Sequence, residues 1–359
     1  MTLATGSTTD RARALMDATI LDVADRAWTG RELVTAGTLS GDWPAMEQDL
    51  AAGLIARRSW EPSADAVQAA VRGFRYQLRL VSGEEYGAWL ASRGLKAADV
   101  RSVMARRLAR ERRSATATAP ARTAPDSVTP PPPSELIDAL TSEAICSGAL
   151  ARCGRWLIDR MLCLVDDSGR EPPQAAVDEL LARDEALIAA GLTPEDGGDR
   201  RRRAELIVAA DAAYATRVRA LCSDRAIEHC LRRHALDWLR FGLDELRCTS
   251  AGTAAEAAEL LREGAPTARV SELSGVPVAV RDMYLEDAPE SVQGLLGAAI
   301  AGATIGPFEI DGEHRVWTVR TRRSASASDP DNAARAAAEI VAEQMAHRRA
   351  GKVRWHDHH

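Results

Sequence analysis

Two groups of residues have side chains whose types and spacing could do chemistry. The first is Cys222, His229, Cys230 and His234, all within one predicted helical region. Cys230 and His234 are four residues apart, a spacing that places two zinc ligands on one helix face. The Cys-x-x-Cys spacing of structural zinc sites is absent, so we favour a half-buried helix face with incidental thiols. We expect no metal site and no cofactor.

The second candidate is His314, which lies among predicted strands near the end of the chain. Residues 308–310 and 314–319 are rich in β-branched and aromatic side chains, and Asp311-Gly312 lies between the two runs. Asp-Gly suits the two positive φ angles of a tight hairpin turn. We therefore predict a β-hairpin that places His314 at the start of its second strand.

A short helix is predicted to precede this hairpin. Pro289-Glu290-Ser291 followed by an Ala/Leu-rich run is typical of a helix with proline in its first turn, where no amide donor is lost. The helix should end near Gly302, after which residues 305–307 turn the chain into a strand. Residues 286–320 therefore have the order helix, turn, strand, Asp-Gly turn, strand.

This order, with these residues, resembles the closing half of a parvulin-type peptidyl-prolyl isomerase domain. Ala288-Pro289-Glu290 matches the start of the family's helix, residues 301–307 match its turn, and Gly312-Glu313-His314 begins its last strand. The resemblance implies a small domain with an antiparallel sheet and helices. Arg240–Cys248 is then the candidate first strand. Residues 253–264 form a helix, and residues 278–280 form a strand or an extended loop.

The resemblance also implies which residues would do the chemistry. Parvulins seat a proline ring against a Met and a Phe and place two histidines nearby, one on the first strand and one on the last. His314 occupies the last-strand position, but the candidate first strand has no histidine. The Met position falls on Asp287 and the Phe position on Ser291 or Val292. Because a carboxylate and a hydroxyl do not make an apolar seat, we expect a retained scaffold with a lost pocket.

Two interpretations of His314 follow. As a remnant of the histidine pair, it would be the catalytic residue and would orient a bound peptide amide. Otherwise it is an ordinary strand residue beside a turn, which is the interpretation that we favour.

The N-terminal third is predicted to be helical. Residues 11–28 carry Leu15, Ile20 and Val23 at roughly helical spacing, which predicts a first helix. The clearest amphipathic helix carries Val67 and Leu78 at its two ends, and a capping box opens the helix that follows it. Residues 74–108 are similar to the N-terminal helical module of SurA-type chaperones, in which such a module precedes an isomerase domain.

Composition divides the chain further. Residues 114–134 are rich in Ala, Thr and Pro, which predicts a semi-rigid spacer. We therefore expect five segments in an α+β protein. They are a SurA-like helical module (1–113), a linker (114–134), a second helical module (135–239), a degenerate parvulin-like domain (240–323) and a C-terminal helix and tail (324–359). Within the tail, residues 353–355 are expected to pair with the body or pack against it.

The overall charge and hydropathy exclude some classes of partner. A formal net charge of -6 over 359 residues gives no electrostatic case for binding nucleic acid. No run approaches the roughly 18 apolar residues of a membrane span, and the N-terminus has no apolar core of signal-peptide length. We expect a cytoplasmic protein with reduced cysteines.

Three functions are compatible with this sequence. The preferred hypothesis is a chaperone-like protein that binds an unfolded polypeptide or a precursor peptide, as an accessory factor in peptide maturation. The second is an active peptidyl-prolyl cis-trans isomerase that uses His314. The third is a structural scaffold for a peptide-modifying enzyme or a transporter.

Overall fold

The computed structural model describes residues 8–117, 130–167, 169, 171–189 and 200–356. The fold is α+β, as predicted, with 66% helix and two small antiparallel sheets. The chain divides into two compact units. The first comprises Met1–Arg217 together with Met345–His359, and the second comprises Val218–Gln344. In the described part of the chain, no helix has both the length and the apolar character needed to cross a bilayer.

The first unit is built mainly of helices joined by short turns. Its helices are α1 (Thr8–Asp17), α2 (Gly30–Ser40), α3 (Asp42–Ser59), α4 (Ala64–Gln77), α5 (Gly83–Ser92), α6 (Ala97–Ala117), α7 (Pro133–Cys146), α8 (Ala149–Leu164), α9 (Gln174–Ala189) and α10 (Arg200–Leu221). Several begin as the sequence predicts. Ser63 caps α4 by accepting a bond from the Ala66 amide, and Ser82 forms a capping box with Glu85 at the start of α5.

The predicted first helix over residues 11–28 is wrong. Helix α1 ends at Asp17, and the chain then forms strands β1 (Thr19–Val23) and β2 (Arg26–Thr29). Ala24 and Asp25 both have positive φ angles, 54° and 59°, as a two-residue hairpin turn requires. The apolar residues that suggested one helical face therefore belong to two elements of different periodicity.

A distant segment completes this small sheet. Strand β7 (Val353–Trp355) pairs antiparallel with β1, so that the sheet order is β2-β1-β7. The expectation that residues 353–355 pair with the body is confirmed. Gly154 on α8 makes room for the Trp355 ring, since a Cβ at Gly154 would lie 2.4 Å from a Trp355 ring carbon. The C-terminal strand is thus packed into the core formed by the N-terminal elements.

The structure divides the chain differently from the five predicted segments. Helix α6 continues to Ala117 and α7 begins at Pro133, so both ends of the predicted linker 114–134 are helical. The residues between them, 118–129, lie outside the described residues. Most of the two predicted helical modules forms one unit, because α6 packs on α7 and a buried ion pair of 2.8 Å joins Arg106 to Glu143 across them.

The second unit contains a four-stranded antiparallel sheet with the order β4-β3-β6-β5. Its elements are α11 (Asp224–Arg233), β3 (Arg240–Cys248), α12 (Ala251–Arg262), α13 (Thr267–Ser274), β4 (Val278–Tyr284), α14 (Glu290–Ala298), β5 (Thr304–Ile310), β6 (Glu313–Arg323) and α15 (Pro330–Arg349). The division between the units falls within α10 and α15. The predicted hairpin is confirmed as β5 and β6, with Asp311 and Gly312 at φ 54° and 77°.

Each face of this sheet is covered by its own helices. Helix α12 packs on one face with Leu246, Cys248 and Val316. Helix α14 packs on the other face through Val292 and Leu296. The predicted first strand Arg240–Cys248 is confirmed, and the open alternative at residues 278–280 is resolved as part of strand β4.

One half-buried acid in the first unit should make stability depend on pH. The Trp43 indole donates a 2.8 Å hydrogen bond to Glu47, one turn further along α3. Burial raises the pKa of Glu47 to about 7, although the bond from Trp43 opposes the change. The folded protein therefore holds a proton on Glu47 at pH values where the unfolded chain has lost it, so stability falls as the pH rises from the ordinary glutamate range to about 7.

We expect Glu47→Gln to abolish this loss of stability with rising pH. The variant should be more stable than the wild type by about 1 to 3 kcal/mol near pH 8, and the difference should vanish near pH 4. Urea unfolding followed by circular dichroism at both pH values measures it. The control is Glu61→Gln, an exposed partner of Arg57, which should change the free energy of unfolding by less than about 1 kcal/mol. Equal effects of the two substitutions at pH 8 would contradict the assignment.

Candidate functional site

His314 is the second residue of β6, an inner strand of the second unit's sheet, and it is half-buried. It faces Glu309 on β5 and Cys248 on β3. Cross-strand partners share a face of the sheet, and Cys248 belongs to the core under α12. His314 therefore lies on the α12 face.

Helix α14, which the resemblance would combine with His314 in one pocket, covers the opposite face. Its Val292 packs with Leu243, Trp317 and Val319 on that face. Because side chains alternate along β6, His314 and Trp317 lie on opposite faces. The structure does not bring His314 together with α14, and its catalytic role stays a prediction.

The residues that align with the Met and Phe of the parvulin pocket differ from one another in their surroundings. Asp287 is exposed in a short 3₁₀ turn (Leu285–Asp287) that precedes α14, and Ser291 is also exposed. Val292 is buried in the core beneath α14, where it packs among apolar side chains.

The α14 face carries a charged group that the sequence analysis missed. Glu245 on β3 is fully buried and accepts a 3.1 Å hydrogen bond from the Trp317 indole. Its carboxylate also lies 2.9 Å from Arg247, 3.4 Å from Arg281 and 3.4 Å from Arg315. We call these five residues the Glu245 cluster. The alternation of side chains along β3 could have indicated that Glu245 faces inward. Its partners come from three strands, so the sequence alone did not show them.

The Glu245 cluster keeps its carboxylate ionised. Burial alone would raise the pKa of Glu245, but the hydrogen bonds from Trp317 and Arg247 and the charge of Arg281 outweigh burial, and the net pKa is lowered. A carboxylate with a lowered pKa is a poor proton donor at neutral pH. Its chemistry here is to neutralise arginines and to fix the register of β3, β4 and β6.

A different kind of site lies in the first unit. A groove of about 500 Å³ is formed by helices α4 to α8, and we call it the helical groove. Its apolar lining includes Phe74, Leu78, Trp89, Ile145 and Leu150. Pockets of roughly 300 to 1,000 Å³ with mostly apolar walls and a few polar groups are typical of ligand sites.

Aromatic contacts hold one wall of the helical groove in place. The Phe74 and Trp89 rings meet edge to face, with 5.6 Å between their centroids, which joins α4 to α5. The Arg93 guanidinium lies 4.8 Å from the centre of the Trp89 ring. Leu78, at the end of α4, keeps 42% of its surface exposed and is therefore available for contact.

Cys146 gives the helical groove no nucleophile. Burial raises the pKa of its thiol to about 12, and the charge of Glu143 adds to the effect. The thiol is therefore protonated at neutral pH, whereas the thiolate is the reactive form. Cys146 acts as a small apolar wall residue.

The helix that carries the cysteine and histidine group does not assemble a metal centre. Cys230 is buried beside Leu231 and Trp238, while the His234 ring stacks on Trp238 with 4.5 Å between centroids. Among the described residues, no group of three or more His, Cys, Asp or Glu side chains is placed to hold a metal ion.

Comparison with known proteins adds no relative. A scan of the chain against known protein families gave no match. No curated protein matches its sequence either. The resemblance to parvulin-type domains therefore stays a prediction from the residues.

We expect the Glu245 cluster to contribute strongly to the stability of the second unit. Glu245→Ala would remove the buried acceptor of Trp317 and a carboxylate partner of three arginines, two of them partly exposed, and should cost about 1 to 3 kcal/mol at neutral pH. Because the pKa of Glu245 is lowered in the folded state, this contribution should disappear as the pH falls below the ordinary glutamate range. Urea unfolding over a series of pH values measures both effects.

The matched control is Asp244→Ala. Asp244 is the neighbouring residue on the opposite face, where it pairs with the half-exposed Arg320 at 3.1 Å. That pair is partly solvated, so the control should cost about 1 kcal/mol or less. Similar losses for the two alanine variants would show that Glu245 has no special role, and Glu245→Gln should lie between them because it keeps an acceptor for Trp317.

Proposed function

We propose that this protein is a chaperone-like polypeptide-binding protein and that the helical groove holds an extended segment of its client. The client in this proposal is an unfolded polypeptide or a precursor peptide that is matured by a separate modifying enzyme. The second unit is, in this proposal, a degenerate parvulin-like domain. The proposed location is the cytoplasm, which six unpaired cysteines support.

The observation that carries the proposal is the composition of the helical groove. Phe74 and Trp89 form a rigid aromatic wall, and Leu78 and Ile145 add aliphatic surface. Aromatic walls give large contact areas at a low cost in conformational entropy, and amphipathic helices around a groove are a recurrent way of holding a peptide's apolar side chains. A volume of about 500 Å³ suits a short peptide segment.

The second unit supports the parvulin-like assignment through its order of elements. A first strand, two helices, a second strand, a helix and a closing Asp-Gly hairpin follow one another in the order that the resemblance implies. The α14 face holds the Glu245 cluster in place of an apolar seat for a proline ring. This arrangement supports binding over isomerisation.

We expect a neutral peptide with leucine and phenylalanine side chains to bind the wild-type chain in fluorescence anisotropy titrations. Leu78→Ser should weaken this binding by about tenfold, because it removes apolar contact area from the groove. Leu78 is already 42% exposed, so the substitution should leave the fold intact.

The matched control is Val81→Ser. Val81 is 70% exposed, lies three residues further along and does not line the groove. Its substitution should leave the affinity unchanged. A wild-type chain that binds no such peptide would overturn the proposal and favour a purely structural scaffold, and equal weakening in both variants would exclude the helical groove as the site.

We expect no isomerase activity. Catalytic amounts of the protein should not accelerate the cis-trans exchange of an Xaa-Pro peptide in NMR exchange spectra, because His314 lies on the α12 face and the sheet separates it from α14. His314→Ala should behave as the wild type does. Acceleration that disappears in His314→Ala would make the protein an enzyme and would overturn this assignment.

A further inference from the structure

Arg107 is an unpaired cation in the wall of the helical groove. It lies on α6 and is half-buried. Its neighbours on the same helix are paired, Arg106 with Glu143 at 2.8 Å and Arg110 with Asp49 at 2.8 Å. Arg107 makes no hydrogen bond or ion pair with the residues that the structure describes. A guanidinium in a groove wall without a partner is available to an anionic ligand.

The lining of the helical groove supplies no anion for Arg107. Among the described residues that line the helical groove, none is Asp or Glu. The Cys146 thiol stays neutral because burial raises its pKa to about 12. The charge of Glu143 is already directed at Arg106. The groove therefore combines apolar walls with an uncompensated positive charge.

We propose that the client segment held in the helical groove carries an acidic side chain next to a large apolar one. The apolar side chain packs against Phe74 and Trp89, and Arg107 binds the carboxylate. This inference rests on the proposed function and narrows it to acidic peptides. A guanidinium binds a carboxylate through two parallel hydrogen bonds, which fixes the direction of the peptide as well as its affinity.

The carboxylate is assigned to a side chain rather than to a peptide C-terminus. Terminal carboxylates are captured by clusters of free backbone N–H groups. Where α7 ends and α8 begins beside the groove, three successive amides are already used. Ser147 donates to the Glu143 carbonyl, Gly148 to the Ile145 carbonyl and Ala149 to the Ser147 hydroxyl.

The test uses the full chain and short synthetic peptides with amidated C-termini that differ at one position. A Leu-Glu pair, a Leu-Gln pair and a Leu-Lys pair are compared by anisotropy at low and high salt. We expect the Leu-Glu peptide to bind about tenfold more tightly than the Leu-Gln peptide at low salt, and the Leu-Lys peptide to bind more weakly than either. The preference for glutamate should shrink as salt is added.

Variants of Arg107 assign this preference to one residue. Arg107→Gln should bring the Leu-Glu affinity down to the Leu-Gln affinity while the Leu-Gln affinity stays the same. Arg107→Glu should reverse the order and favour the Leu-Lys peptide. The matched control is Arg113→Gln, which removes the same charge from an exposed position on α6 outside the groove and should keep the full preference.

The outcomes separate this inference from the proposed function. Equal binding of the Leu-Glu and Leu-Gln peptides, both weakened by Leu78→Ser, would overturn the acidic preference and leave the groove as a peptide site. A preference that persists in Arg107→Gln would also overturn it. A Leu-Gln peptide with a free C-terminus that binds as tightly as the amidated Leu-Glu peptide would reassign the carboxylate to a chain terminus. No binding of any peptide would overturn both proposals.

Discussion

The pairing of β7 with β1 is the interaction on which the first unit depends. Strand β1 contributes Leu21 and Val23, and their partners Trp355 and Val353 come from the opposite end of the chain. A two-stranded hairpin is marginal in water by itself, so the third strand stabilises the sheet. Residues 218–344 are thus enclosed, along the sequence, between two segments of one core. The first unit cannot complete this sheet until residues 353–355 have been added.

This dependence explains which parts of the fold could be predicted from the sequence. The β5–β6 hairpin was predictable because its signal is local, with Asp311 and Gly312 adopting the positive φ angles that their side chains tolerate. The hairpin of β1 and β2 was not predictable in the same way. Its turn residues are Ala24 and Asp25, and its stabilising partner is more than 300 residues away. The local sequence pattern predicted a helix over these residues, but the long-range pairing with β7 stabilises strands there instead.

The candidate site shows the same limit. The sequence predicted α4 from its helical periodicity, including Leu78 at its exposed end. The apolar face of an amphipathic helix does not indicate which other helices pack beside it. The opposing wall comes from residues near Ile145, in a segment whose own pattern gave no sign of a groove. The Glu245 cluster was hidden for a related reason. Its arginines are ordinary strand residues in the sequence, and only the pairing of β3 with β4 and β6 places them around one carboxylate.

The Glu245 cluster also bears on where a binding function can reside. A face that buries Glu245 among three arginines depends on this carboxylate, since removing it would take the acceptor from the Trp317 indole and the carboxylate partner from Arg247 and Arg281. Such a face gains nothing from an apolar proline ring, which would have to displace those contacts. In the helical groove the relation between charges and their partners is the opposite. Its aromatic wall includes no carboxylate, and Arg107 has a charge that a bound ligand can satisfy. Burial of an apolar ligand is therefore favoured in the helical groove and disfavoured on the α14 face.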